Sequence, residues 1–181
     1  MNNVSKKTTT IAKLGVLAAV SDVLVALIHF PLIPAASFLE YDPADIPILL
    51  GTFAMGPMAG IILTVIASVI QGCTVSAASS WYGIVMHIIA TGTFVTVAGN
   101  IYKHHKTKKS AMIALICGTL SMVLIMIPAN LLLTPIYMGA PRSAVVSLLL
   151  PGIIPFNFVK AGINSIITFV LYKRVSGLLH K

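Results

Sequence analysis

Asn157, Lys160 and Asn164 stand at i, i+3 and i+7 of the apolar run PGIIPFNFVKAGINSIITFVLY, so they share one helical face. An unpaired ammonium inside an apolar helix costs about 3 kcal/mol or more in a membrane, so Lys160 needs a partner there. Asn130, in PANLLLTPIY of the preceding apolar run, adds another amide. The chemistry open to this set is recognition: the amides donate and accept, the ammonium donates, and a polar ligand could be ringed by them. The asparagines have a plainer reading as interhelical hydrogen bonders. Asp22 is the acidic residue expected to serve as an intramembrane countercharge, which leaves Lys160 facing either a ligand or Asp22.

A second set lies in the connection Glu40-Tyr41-Asp42-Pro43-Ala44-Asp45. Asp42 before Pro43 reads as a helix start, where a carboxylate caps and proline suits the first turn. Glu40, Tyr41 and Asp45 are not explained by capping, and they suit a lid or an entrance. Tyr41, Trp81 and Phe156 offer aromatic faces on which a planar ligand could pack.

The remaining reactive side chains do not assemble into a catalyst. His87 is a lone histidine in a helical run and reads as a core group. His104 and His105 are adjacent in a basic loop, without metal-ligand spacing. Cys73 and Cys117 lie in different apolar segments and read as packing residues. No Ser-His-Asp or HExxH arrangement is present, and no GxxxxGK[ST] loop could cradle a nucleotide. The expectation is a binding or transport subunit, not an enzyme, with no metal and no cofactor of its own. Uphill transport would need a gradient or a partner.

These residues must be held by membrane-spanning elements. Of 181 residues, 57% are hydrophobic and 9% charged, with mean hydropathy +0.99. Soluble domains carry about 25% charged residues, so the class is an all-α integral membrane protein. The net charge of +8 is gathered at the edges of apolar segments, in Lys6, Lys7 and Lys13, in Lys103, Lys106, Lys108 and Lys109, and in Lys173, Arg174 and Lys181. That pattern follows the positive-inside rule and suits lipid headgroups, not nucleic acid.

Apolar runs fall at about 11–30, 44–55, 57–72, 82–102, 111–134 and 151–172. If Gly56-Pro57 is a tight turn between two helices, every basic cluster lies on the cytoplasmic side. Six helices with both termini cytoplasmic, forming a single domain over 1–181, is the resulting topology. It puts Glu40, Asp42, Asp45 and Arg142 outside or at the outer interface. The run 44–55 rises only about 18 Å, short of a hydrocarbon core of about 30 Å. Either its ends extend into the flanks or the 31–43 connection folds down over a cavity, where loop backbone is tolerated. The first run resembles a signal sequence, but Asp22 interrupts it, and it is read as a retained helix. On it Ala12, Gly15, Ala19, Asp22 and Ala26 lie close to one face, and small residues at this spacing admit a second helix, in this molecule or another.

YDPADIPILLGTFAMGPMAGI, followed far downstream by PFNFVKAGINS, resembles the substrate-binding S components of energy-coupling factor transporters, most nearly the riboflavin-binding members. The resemblance covers nearly the whole chain. It implies a vitamin pocket on the external side closed by the first external loop, in a prokaryotic cell membrane. It also implies assembly with a membrane coupling subunit and two ATP-hydrolysing subunits, which release ligand inward by toppling the S component. On this likeness Asn130, Asn157 and Lys160 would contact riboflavin or FMN, with 37–45 as gate, and Ala12, Gly15 and Ala19 would meet the coupling subunit. Many riboflavin members carry a Lys-Asn pair near the end of the third helix, where this chain has Gln71. Related S components bind pantothenate, folate or pyrimidine precursors, so another vitamin is the alternative within the family. Outside it stand a secondary transporter coupled through Asp22 and Lys160, and a purely structural subunit.

Overall fold

The computed structural model describes residues 3–36 and 38–179, with side chains described for 7–34, 36, 38–172 and 174. Helix α1 (Asn3–Leu27) is followed by a connection in which β1 (Phe30–Pro31) and β2 (Glu40–Tyr41) pair antiparallel, Phe30 opposite Tyr41. Then come α2 (Asp45–Met55), α3 (Pro57–Cys73), α4 (Ser80–His104) and α5 (Lys108–Met138). A short α6 (Arg142–Leu148) runs through a π turn (Leu149–Ile153) into α7 (Ile154–Leu179). Each of the six expected runs holds a helix, the first ending at Leu27, before the expected boundary at 30. The structure adds α6 and the π turn between the fifth and last of them. Pro151 lies in that turn and has no N–H to donate, so the regular i→i−4 ladder widens there instead of continuing.

Gly56 makes the α2–α3 turn possible. Its φ of +98° lies in the region open to glycine, and Pro57 begins the next helix where its missing N–H costs nothing. The packing shows that this is a hairpin and not a kinked single span. Thr52 packs on Gly60, and Gly51 packs on Leu63. Both pairs are nearly symmetric about Gly56, the signature of two antiparallel helices.

Four segments are long and apolar enough to cross a membrane: Lys7–Leu27, Ala77–His104, Lys108–Met138 and Arg142–Tyr172. Helices α2 and α3 are shorter, at 11 and 17 residues. The α2 helix rises about 16 Å, and its first nine residues, Asp45 to Phe53, are buried. Of the two options for this short helix, the structure has the second: the connection from β1 to α2 descends into the bundle. Many large apolar side chains face outward, Leu27, Ile136 and Leu150 among them, as expected where lipid is the solvent.

Helices α4 and α5 pack closely because Gly118 of α5 leaves room for the Phe94 ring; a Cβ there would collide with it. At the end of the bundle away from the descending connection, Phe53, Tyr102 and Tyr172 form an aromatic cluster with ring centroids 4.5–5.6 Å apart. The Tyr102 and Tyr172 hydroxyls are hydrogen-bonded to each other. At its start α5 is capped by Thr107, whose hydroxyl accepts from the Ser110 N–H. It ends at Gly139, in the left-handed conformation with φ +62°, whose N–H returns to the Pro135 carbonyl.

Candidate ligand-binding site

At the other end of the bundle, α1, α3, α4, α5 and α7 surround a cavity that the 31–43 connection partly covers. Its empty space is about 870 Å³, the open mouth included. Met86, Met122, Met126, Phe156 and Phe38 supply apolar walls, while Asn157, Lys160, Asp42, Gln71, Ser68 and His87 bring polar atoms to them. Apolar walls with a few placed polar groups are the general composition of a small-molecule site.

Lys160 is 7% exposed and donates from Nζ to Asp42 Oδ2 at 2.7 Å. Its countercharge is therefore Asp42 of the connection, not Asp22 of α1, which corrects the sequence expectation. Asp42 does not cap α2, whose N-cap is Ala44 without a side-chain cap, but it shapes the turn before the helix: its Oδ1 accepts from the Ala44 N–H at 3.1 Å. One carboxylate thus starts the turn into α2 and neutralises the buried ammonium.

Asn164 is fully buried and is engaged with the connection. Its Nδ2 donates to the Asp42 carbonyl (3.2 Å) and to Asp45 Oδ2 (3.0 Å), and its Oδ1 accepts from the Tyr41 hydroxyl (3.0 Å). Both amide hydrogens are committed. Burial, and secondarily the Asp42 carboxylate, push the Tyr41 phenol above its ordinary range, so it remains a donor. Ser21 of α1 adds a further tether, donating to the Ala44 carbonyl at 2.8 Å. The connection is thereby pinned at its C-terminal end by α7 and α1.

Asp45 is completely buried at the start of α2. Its Oδ1 accepts from the Thr91 hydroxyl at 2.6 Å and faces His87 Nε2 at 3.3 Å, while His87 Nδ1 meets Ser68 Oγ at 3.0 Å. Sequence reasoning treated His87 as a lone core histidine and left Thr91 unremarked. Their i, i+4 spacing on α4 was the available signal, because it aims two polar groups at one neighbour.

The other expected site residues fall in different places. Asn157 lines the cavity, and its Nδ2 donates back to the Ile153 carbonyl of the π turn at 2.8 Å. Asn130 is fully buried behind the wall, donating to the Met126 carbonyl and accepting from Thr134, which bonds the Tyr82 hydroxyl. It reaches the cavity through Tyr82. Trp81 is 46% exposed and packs edge-on against Tyr82, outside the lining. Tyr41 is buried against Phe30 rather than open to the cavity. On α1, Ala12, Gly15, Ala19 and Ala26 are exposed, and a Cβ added at Gly15 would meet nothing within 4 Å. Asp22 parts from that face, with its Oδ1 buried.

A family model, the substrate-specific component of ECF transporters, matches residues 9–172. The chain belongs to this family. The S component is 30% identical to the riboflavin transporter RibU of Staphylococcus aureus, over 98% of this chain and 94% of that one. It is 27% identical to the riboflavin transporter FmnP of Bacillus subtilis, over 90% of each. RibU of Lactococcus lactis matches at 29%, over 68% of this chain and 61% of that protein. A solved S component of a bacterial ECF transporter superimposes with a TM-score of 0.82 at 30% identity, covering 97% of this chain and 99% of the other. The S component is thus a multi-pass protein of the plasma membrane that belongs to a vitamin import system.

Proposed function

We propose that this S component captures riboflavin for uptake, with the cavity beneath the 31–43 connection as its binding site. The observation that carries the reading is that Lys160 and Asn157 line one cavity together with Met86, Met122, Met126 and Phe156. The flavin ring system matches that division: one edge presents carbonyls and N–H groups, and the tricyclic face is apolar. In this reading Lys160 donates to a ring carbonyl while held by Asp42, and Asn157 Oδ1 accepts from a ring N–H. Phe156, Met126 and Tyr82 flank the ring face. Asn164 and Tyr41 act one step back, holding Asp42 and the covering connection. Asn130 supports Tyr82. Trp81 stands at the rim, where its exposed indole can meet an entering ligand. The names of the relatives, riboflavin transporters in three bacteria, support the same vitamin.

The chain supplies binding, and ATP hydrolysis is supplied by partners: a membrane coupling subunit and two ATP-hydrolysing subunits. Both termini and the basic 103–109 turn face the cytoplasm, by the positive-inside pattern. The exposed Ala12, Gly15 and Ala19 form the face that meets the coupling subunit.

Protein purified from a flavin-replete host is expected to absorb in the flavin bands, and after stripping to quench the fluorescence of added riboflavin at 1:1 stoichiometry. A colourless preparation without quenching would sink the assignment to riboflavin. Binding of pantothenate instead would keep the cavity and change the vitamin. The secondary-transporter alternative relied on an Asp22–Lys160 pair, and Lys160 is paired with Asp42.

A further inference from the structure

Ser68 of α3, His87 of α4 and Asp45 of α2 form one chain: Ser68 Oγ stands 3.0 Å from His87 Nδ1, and His87 Nε2 stands 3.3 Å from Asp45 Oδ1. The members are those of a hydrolytic triad, but the protons are placed otherwise. Ser68 spends its single hydrogen on the Thr64 carbonyl at 2.6 Å, so toward the ring it can only accept. Asp45 receives the Thr91 hydroxyl on Oδ1 at 2.6 Å and the Asn164 amide on Oδ2 at 3.0 Å, the pattern of an ionised, acceptor-only carboxylate. Both ring nitrogens must then donate, and a ring that donates from both is an imidazolium. Ser68 therefore has no base to activate it, and the chain is not a nucleophile with its base.

The charges agree. Lys160 is taken by Asp42 at 2.7 Å, so among the described residues His87 is the cation in contact with the completely buried Asp45. Around the ring, α1 brings Asp22, which is hydrogen-bonded to Gln71, α3 brings the neutral Ser68, and Lys160 of α7 acts on Asp45 from its other side. His29, Glu40 and Asp42 share the cavity lining. We propose that His87 is a positioning residue for ligand retention: as an imidazolium it fixes Asp45, and Asp45 fixes the Asn164 amide that holds the cover. This rests on the reading of the cavity as the vitamin site beneath the 31–43 connection. With both ring nitrogens committed, His87 offers the ligand no polar N–H or lone pair and acts only through the start of α2. Loss of one ring proton as pH rises breaks one of the two ring bonds and leaves a buried carboxylate uncompensated. The cover then loosens, and bound ligand leaves faster at higher pH.

Full-length protein in detergent, with isotopically labelled histidine ring nitrogens, is followed by NMR from about pH 5 to 8, the range in which histidine serves as a switch. Riboflavin release is followed in parallel by stopped-flow fluorescence. At the low end both His87 nitrogens should carry protons, the His87 signals being those absent from His87→Gln. The riboflavin off-rate should rise with pH as the ring loses a proton. His87→Gln keeps a donor but no charge. It should release riboflavin about tenfold faster than wild type at the low end, the worth of a charge-assisted hydrogen bond, and its off-rate should not change with pH. A ring with one unprotonated nitrogen at the low end would overturn the proposal. So would unchanged release from His87→Gln, or a wild-type off-rate that stays flat while the ring loses its proton. A pH dependence that persists in His87→Gln belongs to His29 or Glu40 and also overturns it, even if the variant melts lower. Wild-type protein that binds no riboflavin at any pH overturns the riboflavin reading and the retention role with it, whereas the other failures overturn the retention role alone.

Discussion

Lys160 Nζ lies 2.7 Å from Asp42 Oδ2, and 118 residues of chain separate the two partners. The pair joins α7 to the connection that covers the cavity, so a single contact neutralises a buried charge and holds the cover down.

Removing either partner alone should be costly, because the other charge stays buried. Lys160→Met or Asp42→Asn is expected to destabilise by about 3 kcal/mol. The double variant should recover much of that stability while remaining deficient in ligand binding. Thermal unfolding in detergent, paired with flavin titration, separates the two effects. A double variant as unstable as the sum of the singles would remove the ion pair from this role.

Asn164→Leu deletes two hydrogen bonds to the cover and a third to Asp45 of α2, while leaving the cavity lining intact. The expected signature is kinetic: ligand dissociation faster by about tenfold with association little changed, since interface losses appear chiefly in the off-rate. Stopped-flow fluorescence measures both. An unchanged off-rate would mean that the cover is held by other contacts.

The α2–α3 hairpin depends on close approach at Gly60, where a Cβ would collide with Thr52 Oγ1 and stand 3.0 Å from Val95 Cβ. Gly60→Ala should therefore destabilise by about 1–3 kcal/mol through overpacking. Gly15→Ala, with nothing within 4 Å, serves as the neutral comparison. Equal melting temperatures for the two variants would contradict the hairpin packing.

Gly15→Trp and Ala19→Trp add bulk to the exposed face of α1. Riboflavin affinity of the isolated protein should persist, while ATP-driven uptake by the reconstituted complex should be abolished. Loss of binding in the isolated variants would assign this face to internal packing instead.

Much of this protein is written in local pattern. Hydropathy located the six runs, because a lipid solvent demands apolar stretches long enough to close their own backbone hydrogen bonds. Gly56-Pro57 announced a turn through the one residue free to adopt positive φ and the one residue that needs no donor. The i, i+3, i+7 spacing put Asn157, Lys160 and Asn164 on one face of α7, and the Asp42-Pro43 pair announced the start of α2. The π turn was not legible. It arises where Pro151 removes a donor inside a stretch that hydropathy reads as uniformly apolar.

Only the tertiary structure decided what those residues meet. Along one face of α7, Lys160 found a carboxylate, Asn157 a carbonyl of the preceding π turn, and Asn164 the Asp42 carbonyl and the Tyr41 hydroxyl of the cover. Spacing determines which side chains share a face, but a partner is chosen by which distant segment packs there. In this fold the short α2 begins deep in the bundle and draws its preceding connection down with it. That descent brings Asp42 to Lys160 and buries Asp45 against His87 and Thr91.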